Sequence, residues 1–153
     1  MILTRNSLFY FLQYITKTDK RKNLMNIMHI LLVFLGGGTG ALCRYLTTAF
    51  ISLKLGTAFP YGTLFVNTFG SFLIGFITFY FTFVHHSAVP EPFRLLTVIG
   101  FLGGFTTFSS FSLDTILLFQ DHTPISAVTN ILCNTLFSIG SAFLGVCAAK
   151  GFI

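Results

Sequence analysis

The chain has 153 residues, of which 54% are hydrophobic and only 8% are charged, and its formal net charge is +5. Soluble domains usually contain about 25% charged residues, so this composition excludes an ordinary soluble domain and indicates one membrane domain. The positive charge does not indicate nucleic-acid binding, because the basic residues lie mostly at the ends of apolar segments and the aromatic residues lie inside them.

Residues 1–25 are predicted to form a basic N-terminal extension outside the core. The apolar run at residues 8–15 is too short to span a bilayer, which requires about 20 residues. Its basic residues follow the run, whereas a signal peptide carries its charge first; they are Lys17, Lys20, Arg21 and Lys22. Two interpretations stay open: a helix lying on the membrane surface, or a translation start at Met25 or Met28.

Residues 26–150 are predicted to form an all-α integral membrane domain with four transmembrane helices. The apolar spans cover residues 26–53, 62–84, 93–119 and 125–149. Each is long enough to cross roughly 30 Å of hydrocarbon at 1.5 Å per residue. We therefore expect a multi-pass protein of the cell's inner or plasma membrane, with both termini on one side.

The orientation depends on the start of the chain. With the basic extension included, the positive-inside rule places both termini in the cytoplasm. If translation starts at Met25, the basic residues on the side of the termini are Arg94 and Lys150, and those on the opposite side are Arg44 and Lys54. That near balance allows insertion in both orientations.

Small and polar residues mark three of the spans. Gly36 and Gly40 form a small-xxx-small pair that favours close helix packing. Arg44, one turn later, either reaches the membrane interface or pairs with carbonyl groups and attracts anions to a vestibule. The second and fourth spans each carry an amide-and-hydroxyl stripe, interpreted either as a clasp between helices or as a polar track for an ion; the stripes contain Asn67, Gly70, Ser71, Gly75 and Thr78, and Asn130, Asn134, Ser138 and Ser141.

The third span contains a segment that a regular membrane helix would avoid. Residues 100–111 read Gly-Phe-Leu-Gly-Gly-Phe-Thr-Thr-Phe-Ser-Ser-Phe. Unpaired backbone groups are tolerated in a membrane only inside protein or a polar cavity, so we predict a break near residues 103–107 that faces an ion or a partner chain. Phe108 and Phe111 share a face and are either lipid-facing or present positive ring edges to an anion.

Enzymatic activity is not expected, because the sequence lacks a nucleophile–base pair, a phosphate loop and paired carboxylates. It also lacks an acidic residue at mid-membrane, which a proton-coupled carrier usually needs; Asp114 lies in the outgoing half of the third span.

These motifs resemble the Fluc-type (CrcB) fluoride channel family over about residues 27–150, and the extension has no counterpart there. The resemblance rests on Gly36-Gly37-Gly38-Thr39-Gly40-Ala41 with Arg44-Tyr45, on Gly62-Thr63-Leu64 with Asn67 and Gly70-Ser71-Phe72-Leu73-Ile74-Gly75, and on residues 100–111. It implies an antiparallel, dual-topology homodimer with two fluoride pores and a structural Na⁺ at its centre, held by the backbone carbonyls of Gly103 and Thr106.

The resemblance also implies a fluoride pathway through the polar faces. Asn67 would donate to the anion, Phe108 and Phe111 would offer ring edges, and Ser109 and Ser110 would lie beside the break. Asn130, Asn134 and Ser138 match the polar track of the fourth span. The function expected is passive export of cytoplasmic fluoride, which lowers its intracellular level. The alternatives are a small four-span carrier or exporter of dual topology, and a membrane scaffold without transport activity.

Overall fold

The computed structural model describes residues 27–84, 88–121 and 124–151. Within these ranges every regular element is helical. The predictions for the N-terminal extension fall on residues 1–25 and lie outside the described part of the chain.

Four helical segments are long and apolar enough to cross a membrane, and they cover Ile27–Leu55, Tyr61–Thr82, Glu91–Gln120 and Pro124–Lys150. They confirm the four predicted spans, whose ends they match to within two residues. The first segment is helix α1 (Ile27–Leu55), and the second is α2 (Tyr61–Phe79) followed by a π-helical turn, Tyr80–Val84. The fourth is α6 (Pro124–Lys150).

The third segment is composite. A short turn, α3 (Glu91–Phe93), leads into a π-helical stretch, Arg94–Leu102, and then into α4 (Gly103–Phe105). After a gap at Thr106 and Thr107 the chain resumes as α5 (Phe108–Asp121). Thr106 is extended, with φ −82° and ψ 156°. The predicted break is therefore confirmed, although both glycines of the pair at 103–104 remain helical. The π-helical stretch was not predicted, because an apolar run does not distinguish it from an α-helix.

Proline and glycine set the helix ends. Gly56 ends α1 with a left-handed φ of 81°, and its N–H donates to the Ser52 carbonyl at 2.9 Å. A residue with a Cβ rarely adopts this conformation. Pro60 immediately precedes α2, Pro90 precedes α3 and Pro124 begins α6. These positions suit proline, whose missing N–H has no partner in the first turn of a helix.

Glycines bring the helices into backbone contact. A Cβ on Gly36 would collide with the Leu96 carbonyl oxygen, and one on Gly40 with that of Phe101. This confirms the predicted packing role of the pair, with the π-helical stretch as the partner. α1 packs mainly on that stretch and on α4, while α2 packs mainly on α6. The two helix pairs bring the break in the third segment beside α2 and α6.

Candidate functional site

An open cavity of about 400 Å³ lies where the break in the third segment faces α2 and α6. Its wall combines aromatic rings with uncharged polar groups, and among the residues that the structure describes no lysine, arginine or carboxylate lines it. The polar residues of the wall are Asn67, Ser71, Thr106, Thr107, Asn134, Thr135 and Ser138. Phe108 and Phe111 supply its two rings. Such a cavity can offer hydrogen-bond donors to an anion without a fixed charge that would hold it.

The side chain of Asn67, on α2, forms hydrogen bonds to the backbone at the break. Its Oδ1 accepts the backbone N–H of Thr107 at 2.8 Å, and its Nδ2 donates to the Thr107 carbonyl at 3.0 Å. The side-chain amide thus replaces the helical partners that Thr107 lost at the break. A buried backbone group without a partner costs about 1–3 kcal/mol, so this pairing explains why a gap is stable at membrane depth.

The amide of Asn67 also connects to α6. Its Nδ2 donates to Asn134 Oδ1 at 3.1 Å, and Asn134 Nδ2 donates to Asn130 Oδ1 at 2.9 Å. Asn130 is fully buried, and its Nδ2 donates to Thr115 Oγ1 at 2.9 Å. The Thr115 hydroxyl donates in turn to the Phe111 carbonyl at 2.7 Å. The chain of hydrogen bonds therefore leaves the third segment at Thr107 and returns to it at Phe111.

Thr107 caps the N-terminus of α5. Its Oγ1 accepts the backbone N–H of Ser110 at 3.1 Å and lies 3.0 Å from Ser110 Oγ and 3.2 Å from Ser109 Oγ. A threonine at this position satisfies an otherwise free helical N–H. The two predicted pathway serines thus contact the cap and lie outside the cavity wall.

The predicted aromatic pair faces the cavity. The rings of Phe108 and Phe111 touch, with centroids 5.3 Å apart and planes inclined by 59°. Phe108 is 79% exposed, so little of this chain covers it. Both rings can therefore meet a species entering the cavity at their edges, where the ring quadrupole is positive.

Arg44, on α1, contacts the break at the residue before the one that Asn67 binds. It is half-buried, and its Nη1 donates to the Thr106 carbonyl at 3.3 Å. This contact supports pairing with a carbonyl over simple extension to the membrane interface. Arg44 does not line the cavity.

A cation at the cavity would meet uncharged oxygen atoms of the backbone and of polar side chains. In residues 27–84, 88–121 and 124–151 no group of three His, Cys, Asp or Glu side chains could hold a metal ion. Gly103 and Thr106, the predicted Na⁺ ligands, both lie on the cavity wall. Carbonyl oxygens suit a hard cation, but two from one chain form only part of a ligand set, and Arg44 already shares the Thr106 oxygen. These two residues alone therefore do not complete a cation site.

The cavity gathers seven of the predicted site residues, namely Asn67, Gly103, Thr106, Phe108, Phe111, Asn134 and Ser138. Arg44, Ser109, Ser110 and Asn130 lie outside its wall. Sequence reasoning did not assign Ser71, Thr107 or Thr135 to the site, although Ser71 belongs to the stripe of Asn67 and Thr135 adjoins Asn134 in sequence. It also missed the bond from the Thr63 hydroxyl to Asp114 Oδ2 at 2.7 Å, because residue spacing does not show which helix a side chain meets.

These features define a multi-pass membrane protein with an uncharged polar cavity at a broken third span. The profile of the family described as "CrcB-like protein, Camphor Resistance (CrcB)" matches residues 31–146, and the chain belongs to this family.

Curated relatives cover most of the chain. A protein of Legionella pneumophila (strain Paris), named "Fluoride-specific ion channel FluC", is 44% identical over 126 residues, which are 82% of this chain and 92% of the relative. Proteins of the same name from Rhizobium meliloti (strain 1021) and Vibrio parahaemolyticus are also similar. The Rhizobium protein is 40% identical over 82% of this chain and 98% of the relative. The Vibrio protein is 43% identical over 74% of this chain and 87% of the relative.

Proposed function

We propose that this protein is a fluoride-selective channel that lets cytoplasmic fluoride leave the cell passively. The observation that carries the proposal is the uncharged cavity at the break, with the Phe108 and Phe111 rings on its wall. The chain belongs to a family whose curated relatives are named fluoride-specific ion channels, and this membership supports the same function. A channel is not an enzyme, in agreement with the sequence.

The chemistry of fluoride explains why such a pore is useful. Neutral HF crosses a membrane unaided and ionises in a near-neutral cytoplasm, where the anion is trapped. Fluoride holds its hydration water strongly, so a pore must replace that water with many weak donors. Hydroxyl, amide and ring-edge groups can do so, and selection by their number and strength is the general logic of channels.

The proposal includes an antiparallel homodimer with a structural Na⁺ at its centre. The incomplete carbonyl set of Gly103 and Thr106 supports it, since a second copy would supply the missing ligands. The large exposed fraction of Phe108 supports it too, because in a conducting dimer a partner would cover this ring. When bound, Na⁺ would balance the partial negative charges of these carbonyl oxygens.

The runner-up is a small proton-coupled carrier or exporter. Such a carrier would need a titratable group on its substrate path. Asp114 is half-buried but accepts the Thr63 hydroxyl and does not line the cavity. The cavity therefore favours a passive channel.

The test is fluoride release from liposomes that contain the purified protein, recorded with a fluoride electrode in K⁺ medium with valinomycin. We expect rapid release of fluoride and retention of chloride in matched vesicles. Release that requires a proton gradient would indicate the carrier, and retention of both halides would indicate a scaffold. Replacement of Na⁺ by N-methylglucamine during purification should abolish release or separate the dimer.

A further inference from the structure

The π-helical stretch Arg94–Leu102 contains one residue more than its contact with α1 requires. Gly36 and Gly40 are four residues apart on α1, which is about one turn of an α-helix. A Cβ on Gly36 would meet the carbonyl oxygen of Leu96, and one on Gly40 would meet that of Phe101. These two carbonyls are five residues apart. Between the two contacts, four residues of α1 therefore run beside five residues of the third segment.

The π-helical geometry is what lets both carbonyls face α1. In an α-helix, groups five residues apart point about 140° apart around the axis. In a π-helix the N–H of residue i+5 donates to the carbonyl of residue i, so residues five apart come to lie one above the other. Such geometry usually covers a single turn, whereas this stretch contains nine residues. The stretch therefore accommodates the surplus residue within a continuous helix.

The contact with α1 returns to α-helical spacing directly after the surplus residue. A Cβ on Gly100 would lie 3.1 Å from the Gly37 nitrogen. A Cβ on Gly104 would lie 3.1 Å from the Ala41 nitrogen. Gly100 and Gly104 are four residues apart, as are Gly37 and Ala41. The surplus is therefore confined to the π-helical stretch.

The π-helical stretch is bonded directly to the break. The Thr106 N–H and hydroxyl both donate to the Leu102 carbonyl, at 3.0 and 2.9 Å. The Thr106 carbonyl accepts from Arg44 on α1. If the stretch became α-helical with every residue kept, the chain after it would turn by about 100° and advance by about 1.5 Å. The Thr106 carbonyl would then turn away from Arg44.

We propose that the π-helical stretch holds one surplus residue that sets the rotation of the chain at the break, and that Gly36 and Gly40 are the positioning residues that keep it there. The glycines act through the Leu96 and Phe101 carbonyls, which they can approach because they lack a Cβ. This assignment rests on backbone contacts within one chain. Only its consequence for fluoride release rests on the proposed function.

The surplus residue is tested by deletion and insertion at Ile99 in the full chain. Ile99 is 42% exposed and lies outside the cavity wall. Deletion of Ile99 removes the surplus, so we expect an α-helix in place of the π-helical stretch and a break that does not move. Insertion of one alanine after Ile99 adds a second surplus residue and should turn the break. In an ordinary α-helix both changes would turn the following chain by the same angle in opposite senses.

The position of the break can be read by solid-state NMR, which needs no fluoride. In protein labelled with [1-¹³C,¹⁵N]threonine, a correlation between a carbonyl carbon and the next nitrogen arises only from consecutive threonines. The chain has two such pairs, Thr106–Thr107 at the break and Thr47–Thr48 on α1. The first pair reports on the break, and the second is an internal reference.

We expect the Thr106–Thr107 signal to stay within a linewidth of wild type after deletion of Ile99 and to move by several linewidths after the insertion. Ile99→Ala is the matched control, because it shortens the side chain and keeps the number of residues. Fluoride release should follow the signal, with wild-type rates for the deletion and a loss of about tenfold for the insertion.

The role of the glycines is tested with the same signal. Gly40→Ala should move the Thr106–Thr107 correlation, because its Cβ would displace the Phe101 carbonyl. Gly38→Ala should not, because nothing lies within 4 Å of its added Cβ. An unmoved signal in Gly40→Ala would overturn the positioning role.

A break signal that moves as far after the deletion as after the insertion would overturn the surplus residue. Should the insertion variant fail to fold, the deletion variant decides alone, since a moved signal there contradicts a surplus. If the wild-type protein releases no fluoride, the proposed function fails, while the NMR comparison still judges the surplus residue and its glycine contacts.

Discussion

Arg44 donates a hydrogen bond from Nη1 to the carbonyl oxygen of Thr106 at 3.3 Å, so a guanidinium charge lies against the break in the third span. The same oxygen is a proposed Na⁺ ligand. A cation bound there would share its ligand with a like charge, which weakens binding. The contact therefore links Arg44 to the proposed cation site, and Arg44 does not line the cavity.

We expect Arg44→Gln to lower the Na⁺ concentration that gives half-maximal fluoride release, roughly tenfold, because it removes a nearby positive charge. Arg44→Lys should retain the wild-type dependence. Lys54→Gln is the control for charge loss on the same helix, since Lys54 lies near the end of α1 over the Phe50 ring. A Na⁺ dependence that is identical in wild type and Arg44→Gln would contradict a shared ligand.

The second prediction concerns the packing of α1. Gly36→Ala should destabilise the fold by about 1–3 kcal/mol, since its Cβ would overlap the Leu96 carbonyl oxygen and force the backbones apart. Gly38→Ala on the same helix is the control, because nothing lies within 4 Å of its added Cβ. Thermal unfolding in detergent measures both. Equal midpoints for the two variants would show that α1 does not pack in this way.

The third prediction concerns the buried hydroxyl of Thr63, which donates to Asp114 Oδ2 at 2.7 Å. Thr63→Val keeps the shape of the side chain and deprives the carboxyl group of its donor, and we expect a loss of about 1–3 kcal/mol in the free energy of unfolding. Thr63→Ser should recover most of it. An unfolding midpoint equal to wild type for Thr63→Val would mean that this bond contributes nothing.

The fourth prediction separates the pore from the fold. Because Phe108 is 79% exposed in this chain, Phe108→Ile should leave the packing within one chain nearly unchanged, so the helix content measured by circular dichroism should match wild type. Fluoride release should fall about tenfold, because the ring quadrupole is lost. Phe143→Ile is the matched control, since Phe143 is 66% exposed on α6 and lies outside the cavity wall. Normal release by Phe108→Ile would remove this ring from the pathway.

The sequence predicted the elements well because each depends on local chemistry. Four spans follow from the length of apolar runs, and the break follows from a glycine pair beside hydroxyl residues. The partner of each polar group depends on helix packing, which residue spacing does not specify. The sequence therefore did not decide whether the Asn67 side chain joins two helices or donates to an anion. It also placed Asn130 on the same polar track as Ser138, although Asn130 is fully buried and does not line the cavity.

Ser109 and Ser110 show that residue spacing does not specify the partner of a hydroxyl group even within a few residues of the chain. Their position beside the break suggested the pathway, yet both hydroxyls meet Thr107 Oγ1 at the start of α5. Whether a hydroxyl faces a cavity or caps a helix depends on where the helix restarts. That point is fixed by Asn67 from another span.

The central claim is a pore that admits fluoride and rejects chloride, and the reversal potential of the wild-type protein in a planar bilayer tests it most directly. With fluoride on one side of the bilayer and chloride on the other, we predict the reversal potential of a pore that is permeable to fluoride and not to chloride. A current that reverses near zero in equal fluoride and chloride, or no current at all, would contradict a fluoride-selective channel.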